Sequence, residues 1–563
     1  MSRRTDLRRS RKKRRNIWLI ASLFLIVILV AAAILIYFYL PYFQEAKVNP
    51  TAELQIYHMG ELMAEKGYQD EGTLYLPFSY IKRQIDPEIF WDEGSGYVII
   101  TTDRDVFHLP QGDYEGMLNL EPYNFTYPTR KVNNEVYLAT DPLADYYEID
   151  IRYVEEQSIF LVHDLTVPLL EGKVLKSTKL RSAPEHNVPY YAVLAEGTNV
   201  NILRETEGWY WVESACGFVG YLDKKHVKIT DIKLEQHEKS AYAPWNPIGE
   251  PIKLLWEYVN KYARTDINKI GKLDGVQVVS PTWFSLQKDG LVANIADKRY
   301  VDWAHQRGYQ VWGLFSNSFD AGLTSTMLRD SELRMKVIKQ ILSYVDLYEL
   351  DGVNIDFENI YLKDKDYFVL FVRELTPLLH EKKRTVSLDL TFHSLSENWS
   401  MFYDRKRLGE VVDYMVVMGY DQYPAGSTEA GPVAAIPWVE KGIKNLLAEV
   451  PCDKIILGVP LYTRMWEERV DENGKLTATS KIFTMDATTE WLKANKLTPV
   501  YDSKTQLNYA ELKQKDVTYR IWIEDLSSMN QRIELMEKYN LAGMAAWRRG
   551  FEDANFWKAI AND

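Results

Sequence analysis

The sequence predicts a multidomain protein whose C-terminal part, residues 250–563, is a (β/α)8 TIM barrel. A chain of 563 residues is too long for one hydrophobic core, so roughly three or four domains are expected. Eight apolar strand patterns alternate with amphipathic helical patterns in the C-terminal part, which is the number and order of a TIM barrel. An apolar run near the N-terminus stands apart from these patterns and predicts one transmembrane helix.

Composition narrows the possible partners. The formal net charge is −12, although residues 1–15 contain nine Lys or Arg and a single acid, Asp6. The remainder is therefore strongly acidic, which argues against nucleic acid as the main partner. The two cysteines, Cys216 and Cys452, fall in different predicted domains. This count excludes a disulfide framework and a cysteine-based metal site, and we expect no metal and no cofactor.

The predicted anchor spans residues 17–40, a run without charge that is about 36 Å long as a helix. Trp18 lies at one end and Tyr37 and Tyr39 lie at the other, as in an interfacial belt. The basic tail, residues 1–16, should stay in the cytoplasm, so that the bulk of the chain is extracytoplasmic. The alternative is a cleaved signal peptide, which would need an unusually long apolar core and a small-residue cleavage site that is absent here.

Residues 50–170 are predicted to be an α+β domain of short strands with an internal repeat. The stretches 75–100 and 137–162 each run from a Tyr-Leu strand through an amphipathic segment to a β-branched strand. This pattern resembles the copper amine oxidase N-terminal-like domain of bacterial surface proteins. No histidine cluster that could bind copper occurs in the region, so a spacer or wall-adhesion role is expected.

Residues 174–228 are predicted to form a small β-barrel, because period-2 strands are punctuated there by glycines. The order of strands resembles a bacterial SH3 domain. The resemblance implies binding of wall peptide or glycan, for which the aromatic residues of Gly208-Trp-Tyr-Trp-Val are candidates. At least one of them must be core in so small a barrel, and a spacer role stays equally open. Residues 229–249 are predicted to be a polar linker.

The eight barrel strands are predicted at Ile252–Tyr258, Val276–Trp283, Tyr309–Asn317, Leu350–Glu358, Thr385–Phe392, Tyr414–Asp421, Lys454–Tyr462 and Gly543–Trp547. The gap between the seventh and eighth strands is too long for one crossover. A small α+β insertion is therefore predicted at about residues 467–525.

The fourth strand, Asp351-Gly-Val-Asn-Ile-Asp-Phe-Glu358, carries the chemistry. Strand side chains alternate between faces, so Asn354, Asp356 and Glu358 should point into the barrel. Polar groups stacked inside a barrel are costly unless they have a function. Glu358 falls at the C-terminal end of the strand, where the active sites of TIM barrels lie. Asp351 has the opposite parity and is expected to tie the strand entrance to neighbouring backbone.

Four motifs in order resemble glycoside hydrolase family 18 and cover residues 250–563. The fourth strand resembles the family signature D-x-x-D-x-D-x-E, except that Asn354 replaces the middle Asp. The sixth strand supplies Met418-Gly-Tyr-Asp421, the seventh supplies Gly458-Val-Pro-Leu-Tyr-Thr-Arg-Met-Trp466, and the eighth ends at Trp547. Within the family, the chain looks most similar to bacterial cell-wall and spore-type members.

The resemblance implies a substrate-assisted mechanism, in which the 2-acetamido oxygen of the sugar attacks the anomeric carbon. Glu358 would be the catalytic acid, Asp356 would orient the acetamido N–H, and Tyr420 would donate to the acetamido oxygen. Further candidates for substrate binding are the floor residue Trp547 together with Asp421, Arg464, Trp283, Tyr423, Met418 and Asn354. Met418 could equally be core, Trp283 could cap the rim, and Arg464 could pair with Glu467 or Glu468. Asn354 cannot ionise, so the titration of Asp356 should be simpler than in chitinases.

Three functions are compatible with these residues. The first is a membrane-anchored hydrolase that cleaves N-acetylglucosamine-containing glycan, with peptidoglycan as its substrate. The second is a chitinase that uses the same residues. The third is a glycan-binding scaffold without activity, against which the presence of Glu358, Asp356 and Tyr420 together argues. The expected partners are cell-wall glycan and, through the N-terminal helix, a membrane.

Overall fold

The computed structural model describes residues 2–46, 54–215, 217–233, 251–262, 264–470, 475–553 and 556. The elements of the N-terminal half are, in chain order, α1 (Ser2–Phe43), β1 (Leu54–His58), β2 (Glu61–Asp70), β3 (Thr73–Pro77), α2 (Phe78–Gln84), β4 (Phe90–Asp92), β5 (Tyr97–Thr101), β6 (Val106–Pro110), β7 (Glu115–Leu118), β8 (Glu121–Asn124), β9 (Arg130–Val132), β10 (Glu135–Ala139), α3 (Thr140–Tyr146), β11 (Ile149–Val154), β12 (Ile159–Asp164), β13 (Leu169–Val174), β14 (Thr178–Arg181), β15 (Tyr190–Leu194), β16 (Asn199–Thr206), β17 (Trp209–Ser214), β18 (Val219–Asp223) and β19 (Val227–Lys233).

The elements of the C-terminal half are β20 (Ile252–Glu257), β21 (Val278–Leu286), β22 (Val292–Asn294), α4 (Lys298–His305), β23 (Gln310–Ser316), α5 (Ala321–Arg329), α6 (Ser331–Tyr348), β24 (Gly352–Asp356), α7 (Lys365–Glu381), β25 (Thr385–Thr391), α8 (Arg405–Val411), β26 (Tyr414–Met418), α9 (Ile436–Leu446), β27 (Ile455–Pro460), β28 (Tyr462–Val470), β29 (Leu476–Thr484), α10 (Met485–Ala494), β30 (Val500–Asp502), β31 (Leu507–Gln514), β32 (Val517–Ile523), α11 (Leu526–Lys538) and β33 (Gly543–Trp547).

The chain divides into two compact units, and the first comprises residues 1–87, 111–113 and 126–242. It contains helix α1, whose stretch Lys13–Phe43 is long and apolar enough to cross a membrane. It also contains two seven-stranded sheets, with the strand orders β11-β12-β1-β2-β3-β10-β9 and β15-β14-β18-β17-β16-β13-β19. The predicted block 50–170 is therefore divided between the two units, because residues 88–110 and 114–125 group with the C-terminal half.

The second sheet of this unit covers the region predicted as a small β-barrel. Trp209 and Trp211 are buried, and the Trp211 ring stacks on Tyr57 with 4.7 Å between ring centroids. Tyr210 packs against the core of this sheet, whereas Trp211 packs against the other seven-stranded sheet, so the expectation that at least one of these aromatic residues is core is confirmed. Strand β19 pairs with β13 through residue 233, so residues 229–233 of the predicted linker 229–249 form part of this sheet. The rest of the linker, from residue 234, lies outside the described residues.

The second unit contains a closed parallel barrel. Its strands pair in the order β20-β33-β27-β26-β25-β24-β23-β21, and a further pairing of β20 with β21 closes the ring. Alternate residues of each strand point inward, where Leu254, Trp256, Trp312 and Val416 form an inner core. The opposite residues, such as Ile355, pack outward against the helices in a larger core. All eight predicted barrel strands are present, most of them shorter by a few residues than predicted.

The predicted insertion lies between β27 and β33 as a five-stranded sheet with the order β29-β28-β32-β31-β30, accompanied by helix α10. Its first strand, β28, begins at Tyr462, five residues earlier than the predicted start. The antiparallel pairing of β28 with β29 runs from Tyr462 to Val470. Consequently Arg464 and Trp466 of the seventh-strand motif belong to the insertion sheet rather than to the barrel strand.

A five-stranded antiparallel sheet, β4-β5-β6-β7-β8, packs on the outer helices of the barrel within the second unit. Its contact is built around Arg334 of α6, which is 0% exposed and pairs with Glu374 of α7 at 2.8 Å and with Asp92 of β4 at 3.2 Å. His108 of β6 contacts the same Glu374 at 2.9 Å. Arg334 and Glu374 are fully buried, so each needs polar partners to offset its lost hydration. Two of the four side chains in this cluster, Asp92 and His108, come from the sheet.

Candidate active site

Strand β24 presents polar side chains to the barrel interior in the predicted register. Val353, Ile355 and Phe357 are 0% exposed and face the helices, and the Phe357 ring stacks on Phe368 and Phe371 of α7. The opposite face carries the polar residues of the motif. Asp351, at the strand entrance, accepts hydrogen bonds from the Val311 backbone N–H and from His305, both at 2.8 Å. Its predicted structural role is confirmed.

Asn354 lies beneath the site as the centre of a saturated hydrogen-bond network. Its Oδ1 accepts from the Trp256 indole at 2.9 Å and from the Ser280 hydroxyl at 3.1 Å. Its Nδ2 donates to the Ser387 hydroxyl at 3.0 Å and to Asp389 Oδ1 at 2.7 Å. An indole N–H can only donate, which fixes the orientation of the amide. Asn354 is therefore part of the floor beneath the site, and none of its polar atoms is left for a sugar.

Asp356 ends β24 and is 9% exposed. Burial raises the pKa of this carboxyl to about 7, because the charged form loses hydration. Its Oδ1 is buried and makes no hydrogen bond with any residue that the structure describes. A buried acceptor of this kind costs free energy until a donor reaches it. Asp356 therefore has one acceptor oxygen that is free to take a hydrogen bond.

Glu358 follows two residues after the end of β24, at the rim of the barrel. Burial, followed by the negative charges of Asp356 and Asp421, raises the pKa of its carboxyl to about 8. The side-chain amide of Asn317, from the end of β23, holds its backbone. Asn317 Oδ1 accepts from the Glu358 N–H at 3.1 Å, and Asn317 Nδ2 donates to the Glu358 carbonyl at 2.6 Å. A carboxyl that is protonated near neutral pH is a competent general acid.

A second group of predicted site residues lies just after the C-terminal end of β26 and in β28. Asp421 Oδ1 accepts from the Tyr462 hydroxyl at 2.6 Å and from Arg464 Nη2 at 2.9 Å. Arg464 therefore pairs with Asp421, not with Glu467 or Glu468, and its buried Nε makes no hydrogen bond to a described residue. Tyr420 is half-buried and packs against both the inner and the outer core.

The remaining candidates are placed as follows. Trp547 is half-buried, and its ring meets the Trp256 ring edge-on at 5.8 Å. Met418 is half-buried and has the inward parity of Val416. Tyr423 is half-buried against Gly431, where an added Cβ would lie 2.3 Å from the ring. These three side chains remain candidates for contact with a ligand.

The structure contradicts the prediction that Trp283 binds substrate. Trp283 is 3% exposed and packs edge-on against Tyr300 of α4, with 5.5 Å between ring centroids. It shares the outward parity of Val279, whereas Ser280 points inward. The bulky side chain is part of the layer between strands and helices, so it does not reach the rim.

Three residues that the sequence patterns did not single out belong to this site: Asp389, Asn317 and Tyr462. Asp389 is 2% exposed on β25, and it could have been found because Ser387 and Asp389 have the parity opposite to the apolar Val386 and Leu388. Tyr462 lies inside the seventh-strand motif and could have been found there. The contact of Asn317 with Glu358 joins two loops, and no local pattern predicts it.

Comparison with known proteins identifies the class of the barrel. Residues 298–552 match the family model described as glycosyl hydrolases family 18. The barrel is thus a family 18 glycosyl hydrolase domain, and the chain is a glycosidase of that type. Residues 60–162 match the copper amine oxidase N-terminal domain model, which confirms the resemblance inferred for the N-terminal region.

The relatives of this chain include bacterial glycosylases. An uncharacterized glycosylase, YvbX of Bacillus subtilis, is 23% identical over 295 residues, which are 51% of this chain and 84% of YvbX. The cortical fragment-lytic enzyme of Bacillus anthracis is 25% identical over 257 residues, 44% of this chain and 57% of that enzyme. This chain therefore spans little more than half the length of the latter. The spore cortex-lytic enzyme SleL of Bacillus cereus has a similar fold, with a TM-score of 0.50 and 20% identity over 55% of this chain and 73% of SleL.

Proposed function

We propose that this protein is a membrane-anchored, extracytoplasmic hydrolase that cleaves N-acetylglucosamine-containing glycan, with peptidoglycan as its substrate, by substrate-assisted retaining hydrolysis. The observation that carries the proposal is the pair Glu358 and Asp356. One is a rim carboxyl whose pKa is about 8, and the other is a buried carboxyl with an unused acceptor two residues earlier on the same face.

The charged groups around this pair support a nucleophile that belongs to the substrate. Most glycosidases oppose two carboxylates across the scissile bond, whereas family 18 is an exception. Among the motif residues, Asp421 is the other carboxylate that could serve as a nucleophile. It accepts hydrogen bonds from Arg464 and Tyr462. An aspartate bound in this way is poorly suited to attack an anomeric carbon. The sugar's own acetamido oxygen would supply the nucleophile instead.

Each residue then has one task in the proposed reaction. Glu358 protonates the leaving glycosidic oxygen and afterwards activates the water that opens the oxazolinium ion. Asp356 accepts the acetamido N–H through its free oxygen and offsets the positive charge that develops. Tyr420 donates to the acetamido oxygen, and Trp547 provides the apolar floor under the distorted sugar. Arg464 and Asp421 bind sugar hydroxyls in this proposal.

Peptidoglycan is favoured over chitin because of the relatives and the predicted location. One relative is named for lysis of cortical fragments, and another has the same fold and is named for lysis of spore cortex. Helix α1 carries the basic residues before an apolar stretch that is long enough to cross a bilayer, and none of that stretch is buried in the protein. With the N-terminus in the cytoplasm, the barrel would face the wall.

The N-terminal domains are proposed to be spacers. A wall-binding role of the SH3-like region would use the aromatic residues of β17, but Trp209 and Trp211 are buried. Tyr210 is the only one of the three that stays half-exposed. The burial of both indoles leaves little aromatic surface for stacking on a sugar.

Product analysis of a peptidoglycan digest tests the proposal. The expected cut follows N-acetylglucosamine, because the lactyl ether of N-acetylmuramic acid adds bulk at O3 that a site built for N-acetylglucosamine would exclude. Borohydride reduction followed by mass spectrometry should therefore find reduced N-acetylglucosamine ends. Reduced N-acetylmuramic acid ends would identify a muramidase. Cleavage of chitin oligomers without cleavage of peptidoglycan would support the chitinase alternative, and binding without cleavage of either would support the scaffold.

A further inference from the structure

Asp389 is a third buried carboxyl in the site, on the strand next to that of Asp356. Strands β24 and β25 pair in parallel with Asn354 opposite Ser387 and Ile355 opposite Leu388. Continuing this register by one residue places Asp356 opposite Asp389 on the inward face. Neighbouring strands are about 4.8 Å apart, so Asp356 and Asp389 are neighbours on that face. The reaction proposed above does not use Asp389.

The surroundings of Asp389 contain neutral donors and acids. Asn354 Nδ2 donates to Asp389 Oδ1 at 2.7 Å. The Trp256 indole donates to Asn354 Oδ1, so the nitrogen of the amide must face Asp389. The titratable groups that face it are Asp356 and Glu358 from β24, together with the phenols of Tyr403 and Tyr420. Among the described parts of the chain, no lysine, arginine or histidine forms an ion pair with Asp389. A carboxylate without a cation is expensive to bury, so this carboxyl keeps its proton.

We propose, on the basis of the function proposed above, that Asp389 is a positioning residue that stays a neutral carboxylic acid and donates a hydrogen bond to Asp356 when Asp356 carries the negative charge. Burial, followed by the charge of Asp356, raises the pKa of Asp389 well above its usual range, which agrees with this assignment. Asn354 then has a clear reason to be an amide. Its Nδ2 accommodates the acceptor oxygen of Asp389, which a carboxylate at position 354 would repel.

The consequence for catalysis is the ionisation of Asp356. This residue must be charged to offset the oxazolinium ion, and a hydrogen bond to the charged form lowers the pKa of a carboxyl. Without Asp389, the charged form of Asp356 loses a stabilising hydrogen bond. The acid limb of the kcat profile should then move to higher pH, because Asp356 ionises later as pH rises.

Three variants test the role on the full chain. Asp389→Leu removes the donor and should lower kcat about 10- to 100-fold and move the acid limb of the kcat profile to higher pH. Asp389→Asn keeps an uncharged donor of similar shape, so the acid limb of its kcat profile should stay at the wild-type pH. Ser387→Ala is the matched control, since it removes another hydrogen bond to Asn354 and should leave the position of the limb unchanged. A limb that moves equally in the Asn and Leu variants, or in neither, overturns the role.

A spectroscopic arm does not depend on activity and separates this inference from the proposed function. The infrared difference spectrum between wild type and Asp389→Asn at neutral pH should contain the carbonyl stretch of a protonated carboxylic acid in the wild type. A carboxylate band in its place overturns the inference, whatever glycan the enzyme cleaves. If the protonated band is present but no glycan is cleaved, the assignment of Asp389 stands and the proposed function fails.

Discussion

The side-chain amide of Asn317 binds both backbone polar groups of Glu358, accepting from its N–H at 3.1 Å and donating to its carbonyl at 2.6 Å. Asn317 is 0% exposed, and its Nδ2 also donates to the Thr324 hydroxyl at 2.9 Å. The rim position of the proposed acid is therefore fixed by a side chain from the neighbouring strand end. General acid catalysis requires this accuracy, because small displacements of the acid are costly in rate.

Substitution of Asn317 tests whether these two hydrogen bonds, called the Asn317 clamp below, position the acid. In Asn317→Asp the side chain keeps an acceptor for the Glu358 N–H, but it loses the donor and places a carboxylate beside the Glu358 carbonyl. We expect kcat on N-acetylated glycan to fall about 10- to 100-fold, with a smaller change in KM. Steady-state kinetics measures both constants, and Thr324→Val is the control because it removes only the second partner of the amide. An unchanged kcat in Asn317→Asp would show that the clamp does not position the acid.

The alkaline limb of the activity profile should report Glu358. Its pKa is raised to about 8 by burial and by the charges of Asp356 and Asp421, so the protonated acid is present below this pH and is lost as pH rises through it. Asp421→Asn removes one of the raising charges and should move the alkaline limb of kcat to lower pH. Asp302→Asn, at an exposed ion pair with Lys298, is the control and should leave the limb in place. A limb that stays fixed in Asp421→Asn would contradict the electrostatic assignment.

Much of this site could be predicted from the sequence, because alternation along β24 determines which side chains face inward. The same rule places Trp283 on the outward face, because it shares the parity of Val279 and not that of the inward Ser280. Partners from other elements could not be predicted. Neither the clamp by Asn317 nor the packing of the β4–β8 sheet on α6 and α7 leaves a local pattern, since 266 residues separate His108 from Glu374.

The buried charged cluster beneath that sheet should be important for stability. In spite of burial, Arg334 and His108 lower the pKa of Glu374, which shows that its charged form is favoured there. Glu374→Gln leaves the buried Arg334 with Asp92 alone and should lower the free energy of unfolding by about 3–5 kcal/mol. Lys444→Ala, at an exposed pair with Glu440, should lower the free energy of unfolding far less, because solvent screens an exposed ion pair. Denaturant unfolding of the two variants compares them directly, and equal losses would contradict the contribution of the buried cluster.

The proposed topology can be tested in intact cells. The nine basic residues before the apolar stretch predict a cytoplasmic N-terminus and an external bulk. Protease added to protoplasts should therefore remove the barrel, while an epitope tag at the N-terminus stays protected. A cytoplasmic marker protein serves as the control for intact membranes. Full protection of the barrel would refute the proposed orientation.

The central claim is that the acetamido group of the substrate, with Glu358 as the acid, performs the cleavage. The most direct measurement compares the release of reducing ends from N-acetylated and fully deacetylated glycan by wild type and by Glu358→Gln. Wild type should prefer the acetylated glycan by ~10⁴-fold or more, because an ammonium group cannot attack and leaves Asp356 and Tyr420 without their partners. Glu358→Gln should lower turnover of the acetylated glycan ~10²–10⁴-fold while binding is kept. Equal cleavage of both glycans by the wild type would contradict the mechanism.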